Sequence, residues 1–323
     1  MSESQKPQRT ATRLHAALTL VLTLLIGAGF TLQFTNESAV KAEASQSPSV
    51  TETQTHTSVT PTLTSEPSPT DPDPQPDPIL EGIAAHQKAH GCNFNSAATT
   101  LRVLGTCKIL LVGDSIGNNL GYGMLGQLGR YPNLKFVLRA KASTGLSNAW
   151  FYNWETNLKR YLVAEKPDMV IVLLGANDRQ NIKVGSNVYT YGTAAWKRVY
   201  SESVGRMAKL ATDAGAYIHW VGMPICKPYN YNKGMELIAS LTRIELAKHS
   251  GTSFSQLHTL TADAAGNYTQ YLTVNGVRTK VRGDDGIHFT GPGQSVIGSY
   301  IIKRIYSLYH VNLKSSSPRV VTK

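Results

Sequence analysis

Four short stretches of the chain carry side chains suited to acyl transfer, and each follows or lies beside a run of apolar residues. Gly113-Asp114-Ser115 comes directly after the apolar run 108–112. A serine at a strand-to-helix turn is exposed, and the N–H groups at a helix start help to stabilise an anion. The same serine would also serve as an ordinary helix cap. Asp285-Gly286-Ile287-His288 places a carboxylate three residues before an imidazole. Within one turn such a carboxylate can fix the imidazole tautomer and stabilise the imidazolium. In isolation the fragment also reads as a solvated surface turn. Gly175-Ala176-Asn177-Asp178 follows the most apolar run and offers an Asn amide that can donate to a developing oxyanion. Gly, Asn and Asp are also the usual turn residues. Ser143-Thr144-Gly145-Leu146 adds a glycine whose N–H is a second candidate donor, or simply a loop glycine.

These groups need a scaffold that brings loop ends together. Residues 108–112, 134–138, 169–174, 217–221 and, more weakly, 253–257 read as strands. The run at 169–174 is continuously apolar, the mark of a strand covered on both faces. Helical spacing fits 115–131, 154–165, 194–214, 233–249 and 295–309, although glycines weaken the first of these. Asn275-Gly276 between 268–274 and 277–281 is a strong hairpin signal. Strands alternating with helices imply a parallel sheet with helices on both faces, in one α/β domain of about 240 residues. In such sheets, sites form beyond the carboxyl ends of the strands.

The fragments are ambiguous singly, but their conjunction and order are not. The sequence resembles the SGNH/GDSL hydrolase superfamily over residues 108–309, in an envelope branch similar to families acting on acetylated glycans. The family's letters match Ser115, Gly145, Asn177 and His288, and Asp285 matches its third triad member. Trp220-Val221-Gly222-Met223-Pro224 and the continuation of the last block into Phe289-Thr290 belong to the same resemblance. Ile116 stands where the family often has Leu, an apolar swap that leaves the nucleophile undisturbed. The hairpin at 268–281 looks like an insertion able to shape the cleft. The resemblance implies a flavodoxin-like fold and a serine mechanism. Ser115 attacks an ester, His288 moves the proton and Asp285 orients His288. The Ser115 and Gly145 N–H groups and the Asn177 amide hold the oxyanion. No cofactor is implied, and no His/Cys/carboxylate cluster has metal-ligand spacing.

The ends of the chain speak to location. Lys6, Arg9 and Arg13 precede residues 14–34, which contain no Asp, Glu, Lys or Arg. The stretch is long enough to span a bilayer, with 1–13 in the cytoplasm and the remainder outside. Ala42-Glu43-Ala44 leaves open a secreted form made by signal cleavage. Residues 35–80 are rich in Ser, Thr, Pro and acidic residues and read as a disordered tether, leaving 81–323 as the hydrolase domain. Residues 1–80 carry a net charge of −4, so the rest of the +11 chain carries +15. Such a field favours anionic partners. Export makes nucleic acid a poor match and an anionic cell-wall or surface glycan a good one. Trp150 and Trp154, in the loop after Gly145, are candidate sugar-stacking residues. Cys92 and Cys107 flank the domain's entry and are expected to pair, leaving Cys226 free, though spacing alone does not fix connectivity.

Three activities are compatible with this reading. The first is an esterase removing acyl groups, O-acetyl foremost, from an envelope glycan. The second is an acyltransferase passing the acyl group to a glycan hydroxyl, supplied by a separate multi-span membrane protein. The third is a non-catalytic module binding an anionic polymer, which has no need of the five-residue set.

Overall fold

The apolar runs assemble as one parallel sheet. The computed structural model describes residues 77–90, 92, 100–103, 107–132, 134–309 and 319–322, all within a single unit, Pro69–Lys323. The expected cytoplasmic stretch 1–13, membrane segment 14–34 and nearly all of the tether 35–80 lie outside the described residues. No helix among the described residues is long and apolar enough to cross a membrane. Strand β1 (Cys107–Gly113) and strand β3 (Met169–Leu173) are buried at nearly every position, as continuous apolar runs require when helices cover both faces. With β2 (Leu134–Ala140), β4 (Tyr217–Gly222) and β5 (Thr252–Gln256) they form a sheet in the order β2-β1-β3-β4-β5. All four pairings are parallel. The chain runs outward from β1 to β2, then returns to β3 on the other side of β1. The order therefore reverses between β1 and β3, and a crevice opens at their carboxyl ends.

Among the described residues, six helices accompany the sheet. Helix α1 (Pro78–His90) packs on α3 (Trp154–Glu165) and α4 (Ala194–Asp213), and α4 packs on α5 (Tyr229–Leu246). Helix α2 (Ser115–Leu125) packs along α6 (Gly291–Tyr309). The glycines that weaken the helical pattern of α2 have a packing reason. A Cβ on Gly123 would lie 1.8 Å from the Gln294 carbonyl oxygen, and one on Gly298 would lie 2.3 Å from the Gly123 carbonyl carbon. The backbones touch, so the intrinsic cost of glycine in a helix is offset by close helix contact. Helix α2 also stops short of the expected Tyr131, giving way to a single 3₁₀ turn at Leu128–Arg130.

Some elements depart from the sequence expectation. Residues 78–80, expected to belong to the tether, instead begin a helix. Asp77 accepts a hydrogen bond from Ile79 N at 3.0 Å, Pro78 takes the first helical position, and Leu80 and Ile83 are buried in the core. An acidic cap followed by proline is a helix-start signal that a Pro-rich composition hides. Short strands at Ile182–Val184 and Asn187–Tyr189 pair as a small hairpin, too brief for alternation to reveal. Thr100–Val103 pairs antiparallel with Arg319–Thr322. The Asn275-Gly276 turn does join antiparallel strands, Tyr271–Val274 and Val277–Lys280, with φ of 51° and 79° at the two turn residues, as a primed turn requires. Cys92 and Cys107 form a disulfide with a Cα–Cα distance of 4.9 Å, and Cys226 is free and buried. Asp168 clamps this entry, accepting from Cys92 N and Lys108 N at 2.7 Å each.

The α2–α6 contact yields a direct expectation. Gly123→Ala should destabilise the protein by about 2 kcal/mol through overpacking, read as a lower urea midpoint. An unchanged midpoint would mean that the two helices do not depend on backbone contact.

Candidate active site

The site is built at the reversal between β1 and β3. Asp114 caps α2, its Oδ1 accepting from Ile116 N at 2.9 Å and Gly117 N at 3.2 Å. Its Oδ2 accepts from Gly175 N at 3.2 Å and Ala176 N at 2.9 Å, in the loop after β3. One carboxylate thus ties the serine turn to the asparagine loop. Burial pushes the Asp114 carboxyl up to about 6, against the pull of those backbone N–H groups. Gly113 permits the approach, since a Cβ there would lie 2.6 Å from the Leu173 carbonyl oxygen.

Ser115 opens α2, where the first N–H groups have no intrahelical acceptor. Its Oγ lies 2.8 Å from His288 Nε2, and His288 Nδ1 lies 2.6 Å from Asp285 Oδ2. The other Asp285 oxygen accepts from Ile287 N at 2.9 Å and His288 N at 3.0 Å, which closes the turn on itself. Partial burial raises the Asp285 carboxyl, but the His288 hydrogen bond and the two backbone N–H groups outweigh it and hold it at about 2. An ionised Asp285 can only accept, so Nδ1 carries the imidazole proton and Nε2 is left as the acceptor for the serine O–H. The three residues expected to form a triad are therefore in contact, in an arrangement that makes Ser115 a nucleophile. Phe289 N donates to Asn119 Oδ1 at 2.9 Å, which anchors the histidine loop to α2.

Two of the expected oxyanion donors are engaged by neighbouring loop groups. Gly145 N donates to Asn148 Oδ1 at 2.7 Å, and Asn148 Nδ2 donates to the Ser143 carbonyl at 2.9 Å. Asn177 Nδ2 donates to the Thr144 carbonyl at 2.9 Å, leaving the amide's second N–H for an oxyanion. Gly145 must be glycine because a Cβ would lie 2.1 Å from Asp178 Oδ1. Asp178 itself is buried and braces the loop, accepting from Ser147 N at 2.8 Å and Tyr200 Oη at 3.1 Å. Burial raises its carboxyl, with these donors opposing.

The two tryptophans separate. Trp150 is 74% exposed, but Trp154 is buried and its Nε1 donates to Thr144 Oγ1 at 3.0 Å. Trp154 is a prop for the Gly145 loop, so the expectation that it faces substrate is corrected. Its place as the first residue of α3, below the loop tip, explains the difference. Phe151, exposed next to Trp150, and Asn148, the partner of Gly145, were not singled out in the sequence, since neither belongs to a motif. Among the described residues no group of three or more His, Cys, Asp or Glu side chains could hold a metal ion.

The family described as protein of unknown function (DUF459) matches residues 108–304. No curated protein matches the chain. Among solved structures, TesA aligns at 21% identity over 62% of this chain and 99% of its own, with a TM-score of 0.43. A catalytic mutant of Axe2, an acetylxylan esterase from Geobacillus stearothermophilus, aligns at 13% identity over 62% and 95%, with a TM-score of 0.43. The psychrotrophic esterase EstA from Pseudoalteromonas sp. aligns at 17% identity over 62% and 97%, with a TM-score of 0.42.

The depressed Asp285 carboxyl sets a pH signature. A group held at about 2, below its unfolded value near 4, contributes stability that is complete above that unfolded value and is lost as pH falls through 2. The stability gap between the wild type and Asp285→Asn, from urea unfolding, should shrink as pH falls below about 4. A gap that stays the same between about pH 5 and pH 2 would contradict the assignment.

Proposed function

The chain belongs to the DUF459 family, an SGNH/GDSL-like family, and from its triad we propose that it is an extracytoplasmic serine esterase removing acyl groups, O-acetyl foremost, from a cell-envelope glycan. The observation that carries this reading is the unbroken chain from Ser115 Oγ through His288 to Asp285, at 2.8 and 2.6 Å. Ser115 Oγ bonds to the acyl carbon while His288 Nε2 takes its proton. His288 returns that proton to the sugar oxygen as the ester bond breaks. Water then attacks the acyl-enzyme, giving one proton to His288 and releasing the carboxylic acid, and His288 restores Ser115. The Ser115 N–H and the second Asn177 N–H meet the oxyanion, and Gly145 N joins them when its hydrogen bond to Asn148 is exchanged for one to the substrate.

Several features support the substrate class and the location. Trp150 and Phe151 present exposed rings on the Gly145 loop, and Lys141 Nζ lies 5.5 Å from the Phe151 ring. Arg179, two residues past Asn177, and Lys227, packed against Gly286 between Asp285 and His288, are both exposed. None of these three cations joins an ion pair among the described residues. An aromatic shelf with unpaired cations suits a sugar polymer bearing negative charge. The Cys92–Cys107 disulfide fits an oxidising compartment, in line with the apolar segment 14–34 and its basic flank. Nucleic acid is not part of this reading. Transfer to a glycan hydroxyl would use the same triad with a multi-span donor protein, but it needs a cleft that excludes water. The His288 and Asp285 side chains are 42% and 47% exposed, which favours hydrolysis.

The test incubates the full-length chain, and its Ser115→Ala variant, with O-acetylated glycan fragments. The wild type should release free acetate at a rate at least about 10³-fold above the variant, with no fragment gaining acetyl mass. Fragments that gain an acetyl group would replace hydrolysis with transfer. Equal activity in the variant would sink both.

A further inference from the structure

Resting on the esterase reading, we propose that Arg282 is the positioning residue of the triad: its buried guanidinium holds the turn between Asp285 and His288 in place and so sets the aim of His288 Nε2 at Ser115. Arg282 is fully buried, at 0% exposure. Its Nη1 donates to the Ile225 carbonyl at 2.6 Å, in the loop after β4. Its Nη2 donates to the Ile287 carbonyl at 2.7 Å and the Gly286 carbonyl at 3.3 Å. These last two are the residues that separate Asp285 from His288. The guanidinium lies 4.5 Å from the Phe289 ring centroid and 5.4 Å from that of Tyr268. No carboxylate pairs with it among the described residues, and its Nε is buried without a partner.

A cation buried without a counter-ion carries a large desolvation penalty, and aromatic faces and carbonyls recover only part of it. What this cation gains is control of an exposed loop. The Asp285 and His288 side chains are half open to solvent, so packing from outside cannot fix them. Gly286 sits at φ 69°, a conformation that leaves its carbonyl pointing inward, where both Arg282 Nη2 and Lys227 N meet it. The planar fork reaches two backbone segments from separate nitrogens in a fixed geometry, which the single rotating ammonium of a lysine does not reproduce. Arg282 also forms an isolated antiparallel bridge with Phe289, directly after His288. The guanidinium therefore joins the β4 loop, the turn and the residues on both sides of the histidine.

The experiment compares the full-length wild type with Arg282→Met and Arg282→Lys. The readouts are kcat and KM on 4-nitrophenyl acetate, the rate of Ser115 modification by a 4-nitrophenyl phosphonate, and the low-field proton resonance of His288 Nδ1. In folded Arg282→Met, kcat should fall about 10²-fold with KM within about twofold, and phosphonylation should slow in parallel. The Nδ1 resonance should broaden or shift, because the Asp285–His288 hydrogen bond is no longer held. Arg282→Lys should lose less than Arg282→Met and keep the resonance nearer its wild-type position. Wild-type kcat and an unmoved resonance in either folded variant overturn the proposal, as does a loss confined to KM. If Arg282→Met fails to fold by circular dichroism, the lysine variant decides alone. A wild type inert to ester and phosphonate would overturn the esterase reading instead, and the resonance would still report on Arg282.

Discussion

The Asp114 carboxylate is the interaction on which the catalytic crevice depends. Two strands side by side in a sheet leave their following loops free to diverge. Asp114 prevents this by accepting four backbone N–H groups, two from the serine turn and two from the loop after β3. A buried carboxylate is tolerable only when its oxygens are saturated in this way. Burial still raises its carboxyl to about 6, and those donors oppose the rise by favouring the charged form. Asp178 repeats the device one loop further on, joining the β3 loop to the Gly145 loop. Two buried carboxylates thus fix three loops, and the serine, the glycine and the asparagine stand on them.

The other half of the site comes from the far end of the chain. Ser115 and His288 are 173 residues apart, and nothing in the sheet itself brings them together. The joint is made by α2 and α6, whose glycines let the backbones touch, and by Asn119, which holds the residue after the histidine. Ser115 opens α2 and His288 lies three residues before α6, so the close-packed helix pair keeps the two halves of the triad together. The remaining freedom lies in the turn 285–288, which is where the buried arginine acts.

What the sequence made legible follows from the strength of each physical signal. The apolar runs 109–112, after Lys108, and 169–174 were readable because burial on both faces leaves no polar alternation, and Asn275-Gly276 because few residue pairs accept two positive φ angles. The triad was readable only from the conjunction and order of its blocks, Ser115 first and Asp285 to His288 last, since each fragment alone also reads as a cap or a turn. Helix α1 was hidden because a Pro-rich stretch reads as a tether until Asp77 is seen as its cap. Trp154 was misplaced because a tryptophan near a cleft looks the same in sequence whether its ring stacks on a ligand or its indole N–H props a loop. The engagement of Gly145 by Asn148 and the burial of Arg282 depend on side-chain conformation over short distances, which no spacing rule encodes.

The central claim is that the Ser115–His288–Asp285 chain makes Ser115 a nucleophile. The most direct measurement is treatment of the full-length protein with a fluorescent phosphonate fluoride across pH, followed by peptide mass analysis. The account predicts one phosphonyl group per chain, carried by the peptide containing Ser115, and no such adduct in His288→Ala. An unmodified Ser115, or equal labelling without His288, would contradict it.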